Sequence, residues 1–276
     1  MNKILTFCAA GPITGPVIPE LAKRNAFVRA FVREHQAPLA LHNGATEVAL
    51  GDLTDSVSVK EALQGIDSVF YIAPLLLADQ AAVGQRIVEQ AIEAGVKRFV
   101  FSSIIHPVLS SLPNHTAKAP VEERILDSDL EFVLLHPAIL YQNYAQAWQT
   151  ILNTGVVAEP WSNETHHSRV DYRDVAEVAA IALTEDRLTN GTFELCADTA
   201  LNRHDVAAII SEVTGRPIEA RQADPKTFGA LSDLLKPMFE HYDRYGLRGN
   251  ALILRTILGR EPRTLRAYFE ELMRKP

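Results

Sequence analysis

The sequence has few cysteines, no long apolar run and a deficit of basic residues. Its two cysteines, Cys8 and Cys196, lie far apart without C-x-x-C spacing, which excludes a disulfide framework and favours a reducing compartment, expected to be the cytoplasm. No stretch is long enough to span a bilayer, and the short apolar run before Gly11 lacks the pattern of a secretion signal. A net charge of −7 argues against nucleic acids and anionic membranes as partners.

The overall composition is that of a globular protein. Hydrophobic residues make up 47% and charged residues 22% of the 276 residues, while 14 glycines and 15 prolines are too few for a fibrous or low-complexity chain. A chain of this length buries a full-sized core, either as one large domain or as one domain with a small appendage.

Short apolar strands alternate with helices along the first half. Strands are predicted at Lys3–Cys8, Phe27–Val32, Val48–Leu50, Ser68–Ile72, Phe99–Phe101 and Phe132–Leu135. The intervening helices are predicted at Val17–Lys23, Val57–Leu63, Ala81–Ala94 and Thr116–Leu126. This order predicts an α/β fold with a doubly wound parallel sheet, in which ligands bind beyond the carboxyl ends of the strands.

The second half is more helical. Its predicted helices are Asn143–Leu152, Asp174–Leu183, Asn202–Thr214, Pro225–Tyr245, Asn250–Leu258 and Arg263–Met273, with one strand at Thr192–Leu195. We therefore expect a nucleotide-binding domain over residues 1–140. Residues 141–276 are expected to form a small, mostly helical substrate lobe packed on it, with some segments returning to the sheet.

The turn after the first strand lies where Rossmann proteins bind pyrophosphate with backbone N–H groups and a helix N-terminus. The glycine fingerprint is incomplete here, because only Gly11 is kept, with Cys8 and Thr14 at the outer positions. Pro12 has no N–H, so the amides after it remain as the donors, including that of Gly15. The alternative is a tight turn in which Thr14 caps the following helix.

Two charged residues follow the second and third strands. Arg33 stands where a basic side chain would bind a ribose 2′-phosphate, which favours NADP, although it would equally fit an exposed arginine paired with Glu34. Asp52 is placed to accept a hydrogen bond from an adenine amino group, or to cap the helix that begins near Ser56.

Five segments together resemble the NmrA-like branch of the atypical short-chain dehydrogenases. They are Val28–Arg33, Gly51–Leu53, Gly65–Phe70, Gly95–Ser103 and Leu258–Thr264. That branch includes quinone oxidoreductases, triphenylmethane reductases and catalytically silent NADP-sensing regulators. The resemblance implies a Rossmann-like domain with NADP(H) across the strand ends and a smaller C-terminal lobe over the nicotinamide.

The resemblance also implies the cofactor-binding positions. These are the pyrophosphate loop Ala10, Gly11, Pro12, Ile13 and Thr14, the 2′-phosphate contact Arg33, the adenine contacts Asp52 and Leu53, the ribose contacts Ala73 and Pro74, and Pro137 as the wall beside the nicotinamide. Lys118, toward the ribose hydroxyls, and Ser102 are the other candidate cofactor-binding residues. The departures at Cys8, Pro12 and Thr14 predict weakened cofactor binding.

The proton donor of the wider superfamily is absent. In place of Y-x-x-x-K the sequence has His115-Thr116-Ala117 before Lys118, so the lysine is present and no tyrosine lies four residues before it. Three residues apart on one helix, His115 and Lys118 would share a face, and His115 is a candidate acid. The alternative for His115 is an exposed helix start without a role. Loss of tyrosine favours acceptors whose reduction needs little acid catalysis.

Several further residues fit either a functional or a structural role. His106, Tyr141, Asn143 and Trp148 are candidates for the substrate pocket and equally for packing. The adjacent pair His166 and His167 is poorly placed for a shared metal, and no metal is expected. The carboxylates of Asp171 and Asp174 look like an acid–base pair, but Asp174 is more simply a helix N-terminal charge. No G-x-S-x-G turn is present, which excludes that class of hydrolase.

The leading hypothesis is an NADPH-dependent oxidoreductase that acts on a quinone-like or conjugated small molecule. Its rivals are an NADP(H)-sensing regulatory protein without catalysis and a non-redox protein with a degenerate cofactor loop. The oligomeric state stays open, with a homodimer as one alternative.

Overall fold

The computed structural model describes residues 2–8, 10–11, 15–74, 77–229 and 231–274. The strands are β1 Lys3–Phe7, β2 Phe27–Val32, β3 Glu47–Leu50, β4 Ser68–Ile72, β5 Arg98–Ser102, β6 Glu131–Pro137, β7 Ile139–Leu140, β8 Val156–Glu159, β9 Arg169–Val170, β10 Gly191–Leu195 and β11 Glu219–Gln222. The helices are α1 Val17–Ala22, α2 Ala37–His42, α3 Ser56–Ala62, α4 Gln80–Glu93, α5 Pro113–Thr116, α6 Ala119–Leu126, α7 Asn143–Thr154, α8 Tyr172–Thr184, α9 Arg203–Thr214, α10 Leu231–Tyr245, α11 Leu252–Leu258 and α12 Leu265–Arg274. Short 3₁₀ turns cover Glu34–Gln36 and Pro225–Phe228.

The central sheet has seven strands in the order β10-β6-β5-β4-β1-β2-β3. The pairs from β3 through β6 are parallel. Setting β10 aside, this is the strand order 3-2-1-4-5-6 of the dinucleotide-binding α/β fold, with its topological switch between β1 and β4. The predicted fold class, a Rossmann-like doubly wound parallel sheet, is confirmed.

The strands are apolar because helices cover both faces of a parallel sheet. In β1, Ile4, Leu5 and Phe7 have no exposed surface. Aromatic rings fill the space near the carboxyl ends of the strands, where Tyr71 stacks on Phe101 with centroids 5.5 Å apart. This packing fixes the edge of the sheet that carries the predicted cofactor residues.

Helices α4 and α6 approach each other closely at a glycine. A Cβ added to Gly84 would lie 2.5 Å from Cγ2 of Val121, a distance that side chains do not tolerate. Gly84 therefore allows the first half of α4 to lie directly against the start of α6.

The predicted helix Thr116–Leu126 is two helices, α5 and α6, joined by a turn at Ala117 and Lys118. Pro120 explains the correction, because it has no N–H to donate to the carbonyl of Thr116 and is tolerated only in the first turn of α6. His115 lies in α5 and Lys118 immediately precedes α6, so they belong to different helical segments.

The chain divides into two compact units. The first comprises residues 1–108, 115–136 and 175–193 and contains most of the central sheet. The second comprises residues 109–114, 137–174 and 194–276 and contains two small parallel pairs, β8 with β11 and β7 with β9. Within the described ranges, no helix is both long enough and apolar enough for a membrane crossing.

Candidate functional site

Charged and polar side chains of the first unit meet at the carboxyl edge of the sheet. Cys8 follows β1, Arg33 follows β2 and Asp52 follows β3 by two residues. The Cys8 thiol lies within electrostatic reach of Arg33, Asp52 and Lys118. The structure thus brings together residues that the sequence places far apart.

Two amides of the turn after β1 are bonded within the turn. The Gly11 N–H donates to the Cys8 carbonyl at 3.4 Å, and the Gly15 N–H donates to the Gly11 carbonyl at 2.7 Å. Gly15 was predicted to keep a donor for phosphate, but its N–H is already bonded. Ala10 is buried beside this turn. The predicted contacts Pro12, Ile13 and Thr14 lie outside the described residues.

Cys8 has a left-handed backbone, with φ of 62°, at a position where the fingerprint has glycine. The residue is half-buried and packs against the core beneath the sheet edge. Desolvation of its thiol raises the pKa to about 12, against the opposing effects of Arg33 and Lys118. Cys8 is therefore a protonated, space-filling thiol near neutral pH and not an activated nucleophile.

Arg33 and Asp52 differ in the side-chain contacts that they make within the protein. Arg33 is exposed, and its predicted alternative pairing with Glu34 is not found in the described part of the chain. Asp52 Oδ1 accepts hydrogen bonds from the N–H of Thr54 at 2.9 Å and its hydroxyl at 2.6 Å. These bonds lower the pKa of Asp52. The cap of α3 is Asp55, so the capping role considered for Asp52 is wrong.

The ends of β4 and β5 contribute residues beside this group. Ala73 and Pro74 follow Ile72, which is paired in register with Ser102. Ser102 is completely buried, and its hydroxyl has no hydrogen-bond partner among the described residues. An orphaned hydroxyl at the ligand-binding edge of such a sheet suits a polar group of a bound molecule.

A second polar cluster lies next to Ser102. The Ser103 hydroxyl donates to the Glu122 carboxylate, and Nε2 of His136 lies 3.0 Å from Oε1 of Glu122 without the alignment of a hydrogen bond. All three residues are buried. Glu122 carries no motif of its own in the sequence, and its spacing of four residues from Lys118 is the signal that points to it.

Lys118 is 5% exposed, and its Nζ donates to Oε1 of Gln80, the first residue of α4, at 3.0 Å. Burial lowers the pKa of Lys118 to about 8, although the nearby Cys8 acts in the opposite direction. The first unit therefore holds an ammonium group at its carboxyl edge. Gln80 is a second residue that the sequence did not reveal, since helix N-termini carry glutamine for many reasons.

His115 is fully buried, so the alternative of an exposed helix start is wrong. Its Nδ1 lies 3.0 Å from the carbonyl oxygen of His106, which has a left-handed backbone with φ of 53°. A carbonyl only accepts, so Nδ1 carries the proton, and Nε2 of the neutral ring bears a lone pair. Proton donation by His115 from Nε2 therefore requires the doubly protonated ring.

The remaining candidate substrate residues and the wall residue Pro137 belong to the second unit. Trp148 is buried and stacks on Phe269 with centroids 5.4 Å apart. Tyr141 is 1% exposed, and its hydroxyl donates to Asp198 at 3.0 Å. Trp148 and Tyr141 thus pack inside this unit, whereas Asn143 is exposed at the start of α7.

The carboxylates of Asp171 and Asp174 are separately neutralised by arginines. Asp171 accepts hydrogen bonds from Arg173. Burial raises the pKa of Asp171, but the hydrogen bonds from Arg173 and Gln142 have the larger effect, so the pKa is lowered overall. Asp174 accepts from Arg260 at 2.8 Å and from Arg263. The acid–base pairing is therefore absent.

No cluster of three or more potential metal ligands occurs within the described ranges. His167 is buried between the rings of Trp161 and Tyr242. Desolvation and the charges of Arg169 and Arg203 lower its pKa to about 3. His167 is thus a neutral packing residue of the second unit.

The strand order and the polar group at the carboxyl edge define a Rossmann-like α/β protein. Residues 1–268 match the model of the NmrA-like family, and the chain belongs to that family. It is 30% identical over 217 residues to the NAD(P)H azoreductase of Xenophilus azovorans, covering 78% of this chain and 75% of that protein. It is 24% identical over 271 residues to quinone oxidoreductase 2 of Escherichia coli strain K12, covering 93% and 94%.

Solved structures share the fold. The NADPH complex of the NADPH-dependent quinone oxidoreductase of Escherichia coli superposes with a TM-score of 0.87 at 23% identity, over 98% of this chain and 99% of that one. Triphenylmethane reductase of Citrobacter sp. superposes with a TM-score of 0.88 at 19% identity, over 99% and 100%.

Proposed function

We propose that this protein is an NADPH-dependent reductase that transfers a hydride to a quinone-like or otherwise conjugated small molecule, azo compounds included. One observation carries the proposal: the carboxyl edge of the sheet brings a buried ammonium, Lys118, together with Arg33 and Asp52. The named activities of the azoreductase and quinone oxidoreductase relatives support the same reaction class.

The residues present fit NADPH. Arg33 is exposed, has no ion pair in the described part of the chain, and would bind the 2′-phosphate. Asp52 and Leu53 would contact the adenine. The orphaned hydroxyl of Ser102 would bond a polar group toward the nicotinamide. Because the Gly15 amide is already bonded, fewer backbone donors remain for the pyrophosphate, which supports weak cofactor binding.

NADPH, when bound, supplies the hydride. Ala73 and Pro74 would bind the ribose through their backbone. Lys118 would bind the ribose hydroxyls and stabilise negative charge that develops on the acceptor. A conjugated acceptor spreads that charge over several atoms, so the missing tyrosine is less costly than it would be for an isolated ketone.

The test is to mix the purified protein with NADPH and a panel of quinones and azo dyes and to follow nicotinamide absorbance together with loss of the acceptor. We expect one NADPH consumed for each quinone and two for each azo bond cleaved to amines, with Lys118→Met reducing turnover at least tenfold. Lys97→Met, at an exposed position of the same unit, is the matched control and should leave turnover unchanged. Absence of turnover with every acceptor would contradict the proposal.

A second candidate function is an NADP(H)-sensing protein without catalysis. The bonded Gly15 amide, the glycine position filled by Cys8 and the missing tyrosine favour it. Calorimetry distinguishes the alternatives: NADPH binding without turnover supports the sensor, whereas no binding of either nicotinamide nucleotide supports the non-redox alternative.

Within the described residues, Cys8 and Cys196 form no disulfide bond, which supports a reducing compartment, and we propose the cytoplasm. A homodimer is testable by light scattering of the purified protein.

A further inference from the structure

The contact between Gln80 and Lys118 joins two helices of the first unit. Both side chains are buried, and Nζ and Oε1 are 3.0 Å apart. The contact depends on the close approach of α4 and α6, since Gly84 lies one turn after Gln80 and Val121 lies three residues after Lys118. The helix pair therefore holds the amide oxygen against the ammonium.

The chemistry of the partner is unusual. A buried lysine normally has a carboxylate partner, because an unpaired charge in a low-dielectric site is costly. Within the described residues, the side chain bonded to Nζ of Lys118 is a neutral amide, and no carboxylate lies within ion-pair distance. A neutral acceptor fixes the position of the amine without stabilising its charged form as a carboxylate would.

Titratable groups surround Lys118 on several elements of the first unit. Cys8 faces it from the end of β1, with Arg33 and Asp52 beyond that thiol. On α6, Glu122 is turned to Ser103 and His136. On α4, Arg86 donates to the carbonyl of Leu53 and Glu89 lies near Arg124. In α5, the His115 ring bonds the carbonyl of His106.

We propose that Gln80 is a positioning residue for proton transfer, whose neutral amide oxygen holds the Lys118 amine at the carboxyl edge while leaving its proton transferable. The inference rests on the proposed function, because the proton of Lys118 has a recipient only if an acceptor is reduced at this site. It assigns Lys118 the role that the absent tyrosine has elsewhere in the superfamily.

The proton balance is simple. An acceptor that has received a hydride carries an additional electron pair on an oxygen or nitrogen atom. An N–H bond of the Lys118 ammonium breaks with its electron pair left on Nζ, and an O–H or N–H bond forms on the acceptor. The neutral amine then takes a proton from water. The lowered pKa of Lys118, about 8, is close to that expected of an effective donor near neutral pH.

The first experiment needs no cofactor. In protein labelled with ¹³C at lysine Cε, the resonance assigned to Lys118 by its loss in Lys118→Arg is followed against pH. We expect a midpoint near 8 in the wild type. Gln80→Glu should raise it by about 1–3 pH units, because a carboxylate at hydrogen-bond distance stabilises the ammonium. Gln80→Met, which removes the acceptor, should lower it.

The matched control is Gln85→Glu, the same chemical change on the same helix, five residues along and about 140° around its axis. It should leave the Lys118 midpoint in place. A wild-type midpoint near the ordinary lysine value of about 10.4 would overturn the inference whatever the variants do. So would an unchanged midpoint in a folded Gln80→Glu or Gln80→Met protein.

The second experiment is the pH profile of kcat with NADPH and a reducible acceptor. We expect kcat to fall above pH of about 8 in the wild type and the descending limb to move up by about 1–3 units in Gln80→Glu. An unmoved limb would overturn the inference. If no acceptor is turned over, the proposed function fails as well as the proton-donor role, and the NMR titration still decides separately whether Gln80 controls Lys118.

Discussion

The carboxylate of Asp174 in the first turn of α8 accepts a hydrogen bond from the backbone N–H of Arg263 at 2.7 Å. It also receives the guanidinium groups of Arg263 and Arg260 and has no exposed surface. Asp174 thus fastens the segment before α12 to the start of α8 within the second unit. Its role is structural, although its spacing from Asp171 suggests an acid–base pair.

Replacing Asp174 should therefore cost stability and not chemistry. Asp174→Asn leaves two half-buried arginines facing a neutral side chain, which should lower the free energy of unfolding by about 1.5–3 kcal/mol. Asp205→Asn changes an exposed carboxylate in the first turn of α9, which accepts from the N–H of Asn202 at 3.0 Å, and should cost about 0.3–1 kcal/mol. Urea titrations measure both, and loss of activity in Asp174→Asn protein that remains folded would contradict the structural role.

The buried Lys118 predicts a conflict between stability and function. Its pKa falls from 10.5 to about 8 on folding, because burial outweighs the opposite effect of Cys8. Between those pH values the unfolded chain binds a proton that the folded protein has released, so stability rises with pH through this window. The full cost is present below pH 8.

Lys118→Met removes that cost. At pH 7 it should raise the free energy of unfolding by on the order of 2 kcal/mol, while reducing turnover. The gain should disappear near pH 10.5. Thermal and urea unfolding at several pH values test this, with Lys97→Met as the exposed control. A destabilised Lys118→Met protein at pH 7 would show that the charged form is stabilised rather than strained.

His167 predicts sensitivity to acid. Its folded pKa of about 3 lies below the ordinary 6.5, so the unfolded chain takes up a proton as pH falls through this window and the folded protein does not. This residue should contribute a loss of up to about 1.4 kcal/mol of stability per pH unit below 6.5. His167→Phe should flatten that part of the stability profile, and His166→Phe at the half-buried neighbour should not. Equal slopes in both variants would refute the assignment.

Cys8 predicts a gain from restoring glycine. Its left-handed backbone costs an L-residue on the order of 1 kcal/mol, and its side chain occupies the position where the fingerprint has glycine. Cys8→Gly should strengthen NADPH binding severalfold, and adding Pro12→Gln should strengthen it further by supplying an N–H donor. Cys8→Val, β-branched at positive φ, should lower the thermal midpoint. Unchanged calorimetric affinity in Cys8→Gly would show that this position does not limit cofactor binding.

Much of the fold could be predicted, because the strands of a doubly wound sheet are short apolar segments that end at glycine, proline and polar residues. The bounds of β2 and β4 agree with the prediction at both ends, and the helix predicted at Asn202–Thr214 is α9, with Asn202 as its N-cap. The short pairs of the second unit were missed because they carry no apolar alternation. In β11, for example, Glu219–Gln222 is half-buried or exposed throughout.

The candidate site was predicted less completely. Arg33, Asp52 and Lys118 could be placed from strand ends and from the family motif. The hydrogen-bond partners of these residues depend on tertiary contacts that the sequence does not show. Gln80 contacts Lys118 although the two are 38 residues apart in the chain. The N–H of Gly15 is bonded to the carbonyl of Gly11 within the turn. The burial of His115 likewise depends on tertiary packing that the sequence does not show.

The most direct test of the central claim is a calorimetric comparison of NADPH and NADH binding to the wild type and to Arg33→Gln, with Glu34→Gln as the neighbouring exposed control. Loss of a charge-assisted bond to the 2′-phosphate, worth about 1.5–3 kcal/mol, should weaken NADPH binding by roughly 10-fold to 100-fold. NADH binding should stay unchanged, and Glu34→Gln should bind both as the wild type does. Equal affinity for the two nucleotides in the wild type, or no binding of either, would contradict the claim that this edge of the sheet binds NADPH.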